Sequence, residues 1–100
     1  MPRCWWVYIL TNRSGTLYIG VTGDLGQRLR QHREGLGSRF AHRYRMGRLV
    51  FVEEAPDPYA AISREKQLKS WTRARKIALI NGANPGWEDL GRYVLPDSDP

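Results

Sequence analysis

Two short apolar segments open the chain, Trp6-Val7-Tyr8-Ile9-Leu10 and Leu17-Tyr18-Ile19-Gly20-Val21, with Thr11-Asn12-Arg13-Ser14-Gly15 between them. Alternation along a strand sends successive side chains to opposite faces, so the pairing register can be read from face purity. Pairing Tyr8 with Tyr18 collects Trp5, Val7, Ile9, Leu17, Ile19 and Val21 on one wholly apolar face. The other face receives Trp6, Tyr8, Leu10, Thr16, Tyr18 and Gly20 and is half polar. A slip of one residue mixes the two sets. This register predicts a hairpin with a short loop around Asn12 to Ser14, and Gly15 free to take a positive φ.

Further on, Asp24 reads as the N-cap of a helix from Leu25 to Glu34, with Gly35 as its stop. Arg48 to Glu53 reads as a third strand. Asp57-Pro58 opens a second helix running to Ser70 or Trp71, with proline in its first turn. A third helix spans Thr72 to Ile80 and ends at Asn81-Gly82, and Trp87 to Leu90 adds a final turn. The expected fold is α+β, a small three-stranded antiparallel sheet flanked by helices. Residues 1–95 form one domain, and Pro96-Asp97-Ser98-Asp99-Pro100 reads as a disordered tail.

Composition narrows the chemistry. One cysteine in 100 residues forms no internal disulfide, and one Cys with two His cannot build a usual structural zinc site. No Gly-Lys-Ser/Thr run suggests a P-loop, and no apolar run approaches the roughly 20 residues of a membrane span. The start lacks a signal-peptide apolar stretch, which points to a cytoplasmic protein without a membrane partner. Sixteen Lys and Arg against ten Asp and Glu give a net charge of +6. The basic residues cluster at Arg28, Arg30 and Arg33, at Arg39, Arg43, Arg45 and Arg48, and from Lys66 to Lys76. Such clusters favour a polyanionic partner, and Arg suits phosphate because its planar fork bonds two oxygens.

Two helices carry polar residues where apolar ones belong. In the first, Leu25, Leu29 and His32 share a stripe with Arg28 at its edge. This is read either as a boundary histidine beside a snorkelling arginine or as functional groups. In the second, Glu65 lies between Ile62 and Leu68 on a side formed by Ala61, Ile62, Leu68 and Trp71. A carboxylate there must be neutral, paired with Arg28 or Arg64, or bound to a metal. Phosphodiester hydrolysis needs an activated water, positive charge on the phosphate and stabilisation of the leaving oxygen. One carboxylate can hold a hydrated Mg²⁺, an arginine can clamp phosphate, and a phenol or imidazole can move a proton.

The ordered series Val7-Tyr8-Ile9, Tyr18-Ile19-Gly20, Arg28, His32 and Glu65 resembles the GIY-YIG nuclease family. Ser38-Arg39-Phe40, Leu49-Val50-Phe51 and Ala61 to Lys69 are similar to its small stand-alone bacterial branch. The resemblance covers roughly residues 5 to 84. The first motif departs from the family in lacking glycine, so Tyr8 is its fixed point. The resemblance implies an endonuclease that hydrolyses DNA with one Mg²⁺ or Mn²⁺, with DNA repair or recombination as its setting. Glu65 is then the metal ligand, Arg28 the phosphate clamp, Tyr8 or Tyr18 the residue that orients or deprotonates water, and His32 an assistant in proton movement. A late Asn supporting the metal region is Asn81 or Asn84. His42 corresponds to a second histidine of some members, but its arginine-rich surroundings favour a surface position. Arg30, Arg33, Arg39, Arg43, Lys66, Lys69 and Arg73 are expected to contact nucleic acid. With no room for a recognition domain, specificity falls to loops, a protein partner or a homodimer. The alternative is a non-catalytic module binding DNA or RNA.

Overall fold

The central strand, β1 (Trp5–Thr11), is antiparallel to β2 (Leu17–Thr22) on one side and β3 (Arg48–Ala55) on the other, giving the order β2-β1-β3. The computed structural model describes residues 4–34 and 46–95. The remaining elements are α1 (Leu25–Arg33), α2 (Pro58–Ser70), α3 (Arg73–Ala83) and α4 (Gly91–Val94). The fold is therefore α+β, a three-stranded antiparallel sheet with helices, as the sequence implies. No helix among the described residues is long and apolar enough to cross a membrane.

Local chemistry sets the helix starts. Asp24 accepts from the Gln27 amide, Asp57 from Ala60 and Thr72 from Arg75, so α1, α2 and α3 each begin on a side-chain oxygen that satisfies an orphan amide. The end of α1 falls at Glu34, and its expected stop at Gly35 lies outside the described residues, as does the tail 96–100.

The hairpin register differs from the expected one by two residues. Tyr8 pairs with Gly20, and Tyr18 with Leu10. A two-residue shift returns every side chain to its original face, so apolar patterning cannot distinguish the two registers. The loop decides. It runs from Asn12 to Thr16, longer than the tight loop expected, and the Asn12 carboxamide oxygen accepts from the Thr16 amide at 3.0 Å. The Asn12 carbonyl accepts from the Gly15 amide at 3.1 Å, with Gly15 at φ 79°. Asn readily forms such turns, and glycine alone tolerates that φ without strain.

The sheet is a middle layer. Val7, Ile9, Ile19 and Phe51 pack against Ala61 and Leu68 of α2 and Ile80 of α3. The face expected to be half polar is instead a second core, in which Tyr8, Leu10 and Leu49 meet Leu29 of α1, Met46 and Leu95, with Tyr18, Leu90 and Val94 around them. A β-bulge beside Ile9 and Leu10 in the β1–β3 ladder adjusts the pairing between Phe51 and Leu49.

Two further expectations need correction. Ile62 is 42% exposed, so the inward stripe of α2 is Ala61, Arg64, Glu65 and Leu68, at i, i+3, i+4 and i+7. The final turn forms at Gly91–Val94 rather than Trp87–Leu90, and α3 continues through Asn81-Gly82 to Ala83. Buried Asn84 explains both shifts. Its backbone amide closes α3 on Ile80, while its side chain donates to Val50 and Glu88 carbonyls and accepts from the Glu88 amide. That clasp ties the Pro85–Glu88 turn to β3. Asp89 then accepts from the Leu49 and Gly91 amides and from Arg33.

Candidate active site

Tyr8 lies opposite Gly20, and that pairing shapes the site. A Cβ at position 20 would meet the Tyr8 hydroxyl and ring, with Cε1 at 3.0 Å. Glycine therefore leaves the space in which the Tyr8 phenol lies across β2 toward α1. There its hydroxyl hydrogen-bonds His32 Nε2 at 2.9 Å. Tyr18, diagonal to Tyr8 on the same face, completes an aromatic cluster. Its ring centroid is 6.3 Å from Tyr8 and 5.3 Å from His32, the latter edge-on. Diagonal cross-strand neighbours lie within reach of aromatic side chains, so the two-residue shift keeps the phenols together.

Burial governs the electrostatics. Tyr8 is 1% exposed and His32 5%. Burial pushes the Tyr8 phenol well above the usual tyrosine range, and neighbouring Tyr18 and the Glu65 charge add to that, while Arg28 opposes it. Burial first, and the Arg28 guanidinium second, hold the His32 imidazole below its ordinary value of 6.5. His32 is thus neutral near pH 7. Its Nδ1 has no hydrogen-bond partner among the described residues. Arg28, one helical turn before His32, is half-buried and donates to Gln31 Oε1 at 3.3 Å.

Glu65 comes from the opposite layer. Its side chain is 20% exposed, and among the described residues its ion pair is with Lys69, one turn along α2 at 3.3 Å, rather than with Arg28 or Arg64. Arg64 grips Glu53 of β3 through two donors. The structure therefore brings Tyr8, Tyr18 and His32 into contact, with Arg28 and Glu65 close enough for their charges to act on Tyr8.

The described residues contain no group of three or more His, Cys, Asp and Glu able to hold a metal. A closed zinc-type cage does not fit this donor set. A single half-buried carboxylate does fit Mg²⁺ or Mn²⁺, hard cations that keep several waters. Lys69 is more than half exposed, and such surface pairs are weak enough to yield to a divalent ion.

The basic residues divide by their contacts. Arg33 is engaged by Asp89 at 2.8 Å and the Gly47 carbonyl, Arg73 donates to the Gly15 carbonyl at 2.6 Å, and Lys69 holds Glu65. Arg30 and Lys66 are exposed, while Arg39, Arg43 and His42 lie outside the described residues. Asn84 directs its side chain to the backbone, and Asn81 accepts from the Trp87 indole, so neither hydrogen-bonds Glu65. Sequence reasoning missed the stacking of Arg64 and Arg75 on Trp71, at 5.3 and 4.0 Å from the ring centroid.

The profile described as the GIY-YIG catalytic domain matches residues 4–78. The chain belongs to the GIY-YIG family. Similar proteins include a UPF0213 protein of Pseudomonas aeruginosa, 34% identical over 93 residues that cover 93% of this chain and 88% of the relative. A UPF0213 protein of Xanthomonas campestris is 35% identical over 79 residues, covering 79% of this chain and 78% of that one. The solution NMR structure of a UPF0213 protein from Bacillus halodurans shares the fold, with 28% identity, a TM-score of 0.56, and coverage of 89% of this chain and 95% of that one. GIY-YIG domains are nuclease domains, and they generally use a divalent metal.

Two outcomes follow from this geometry. Gly20→Ala forces the buried Tyr8 ring aside and lowers stability by about 1–3 kcal/mol, as overpacking does, read from urea unfolding. The folded protein binds a proton on His32 less tightly than the unfolded chain, so His32 stabilises fully above about pH 6.5 and progressively less as pH falls below it. The drop in urea midpoint between pH 7.5 and 5.5 is accordingly smaller in His32→Gln than in the native chain.

Proposed function

We propose that this GIY-YIG protein is a divalent-metal-dependent endonuclease that hydrolyses DNA phosphodiester bonds, in repair or recombination. The observation that carries the reading is the hydrogen bond between the Tyr8 phenol and a buried, neutral His32, made within reach of the Arg28 and Glu65 charges. A purely structural core has no need of five polar groups from β1, β2, α1 and α2 at one place.

Glu65 would hold the divalent ion, and its low exposure strengthens a carboxylate's attraction for a cation. Bound there, the ion supplies positive charge for the leaving 3′ oxygen. Arg28 holds the scissile phosphate, since a guanidinium can bond two of its oxygens together. Tyr8 and Tyr18 orient the attacking water. A free phenolate is disfavoured at Tyr8 by its burial, so the proton moves in a relay. As the phenol takes a proton from water, its own passes to His32 Nε2, and no isolated charge persists on the oxygen. Lowered basicity at His32 keeps Nε2 free to accept at neutral pH.

The test is cleavage of labelled single-stranded, duplex and branched DNA, with matched RNA, in Mg²⁺ or Mn²⁺. Glu65→Ala abolishes metal-dependent cutting while salt-sensitive binding survives. Undiminished cutting by that variant refutes the site, and binding without cutting by either protein makes the chain a binding module instead. The relay has its own signature. Tyr8→Phe and His32→Gln each lower kcat by about 10²–10⁴-fold, and the double variant is no slower than the worse single one, because the two act as a unit. Multiplicative losses would separate them.

A further inference from the structure

Away from the phenol cluster, a cleft of about 460 Å³ opens where β1 leaves the sheet and β3 enters it, at the paired residues Thr11 and Arg48. None of Tyr8, Tyr18, Arg28, His32 or Glu65 lines it. Its volume lies within the ordinary range of ligand pockets.

Three features give the cleft a chemistry. Among the described residues its charged lining is Arg13 and Arg48, with no carboxylate. Arg48 is steadied by one donor on the Trp87 carbonyl at 3.3 Å, which leaves its other N–H groups available. Arg13 sits exposed at the hairpin tip, and no carboxylate among the described residues pairs with it. A third guanidinium, Arg73, is fixed to the carbonyl of Gly15 in the cleft wall. The second is open space at its rim, where a Cβ on Gly47 would meet nothing within 4 Å.

The third feature is Trp87, the aromatic member of the lining. Among the described residues it is the non-glycine residue at positive φ, 51°. Its amide is held by the Asn84 carbonyl and its indole N–H by Asn81 Oδ1, so the surrounding turn maintains a conformation that bulky residues avoid. Backbone strain of this kind concentrates at ligand sites.

We propose that this cleft binds a phosphorylated, unpaired nucleotide of a nucleic-acid strand, at a position separate from the scissile bond. Arg13 and Arg48 take the phosphate, and Trp87 offers a surface to the base. An unpaired base is required because only its face is free to stack. The assignment to a strand rests on the nuclease reading, while the cleft's affinity for a phosphorylated nucleotide can be measured without it. Such a site would let a small catalytic domain grip a single strand beside the bond it cuts.

The experiment titrates the isotopically labelled full chain, in excess chelator so that no cutting occurs, with a 5′-phosphorylated thymidine tetranucleotide. The readouts are the Gly15 and Gly47 backbone amides and the Trp87 indole N–H. Saturable shifts at all three are expected, and Arg13→Ala and Trp87→Gly each raise Kd by about tenfold. Arg13→Ala leaves the fold intact because the side chain is exposed; glycine suits the φ at position 87, and because Trp87 also packs on the core, urea unfolding checks that Trp87→Gly is still folded under the titration conditions. Unchanged affinity in both variants overturns the proposal. So does equal competition by inorganic phosphate or by a blunt duplex. Failure of DNA cleavage refutes the nuclease reading and leaves this titration standing, whereas cutting without shifts at these residues refutes the cleft alone.

Discussion

The hydrogen bond between the Tyr8 hydroxyl and His32 Nε2 is the contact on which the site's other features converge. Two polar groups are withdrawn from water, and each needs the other, because an unmet buried donor or acceptor costs about 1–3 kcal/mol. For the bond to form, β1 and β2 must pair so that Tyr8 faces Gly20, and α1 must begin where Asp24 caps it. Those requirements explain otherwise unrelated sequence choices: a glycine in an apolar strand, an aspartate before a helix and an asparagine at the hairpin.

Element types were legible because capping and alternation act over a few residues. Asp24, Asp57 and Thr72 each announce a helix by short-range chemistry, and the apolar alternation of β1 and β2 announces a strand pair. The register was not legible. Its two candidates differ by a full side-chain period, and the deciding bonds belong to a loop whose length had to be assumed. Ile62 misled for a similar reason, since a helix packed across the sheet buries a stripe set by its neighbours, not by apolar content. The final helix was displaced because Asn84 reads as a turn residue until β3 offers it the Val50 carbonyl.

The site residues were marked by conflict: Arg28, His32 and Glu65 sit where local pattern asks for apolar side chains. Their mutual arrangement needed three dimensions, because α1 and α2 lie on opposite faces of the sheet. Charge was less informative than its quantity suggests. Arg33, Arg64 and Arg73 are held by Asp89, Glu53 and Gly15, so a count of basic residues overstates the number free to meet a phosphate.

The buried cluster also bears a stability penalty that a packing optimum would avoid. If Tyr8 donates to Nε2, the neutral imidazole carries its proton on Nδ1, which has no partner among the described residues. If Nε2 donates instead, Nδ1 is a buried acceptor equally unmet. Either tautomer leaves Nδ1 of a buried imidazole without a partner among the described residues, beside an arginine that further disfavours its charged form. An apolar residue at position 32 would remove both costs. It would also remove a proton acceptor for the phenol at neutral pH. Packing alone does not account for an imidazole at position 32, because an apolar side chain there would fill the same core at lower cost.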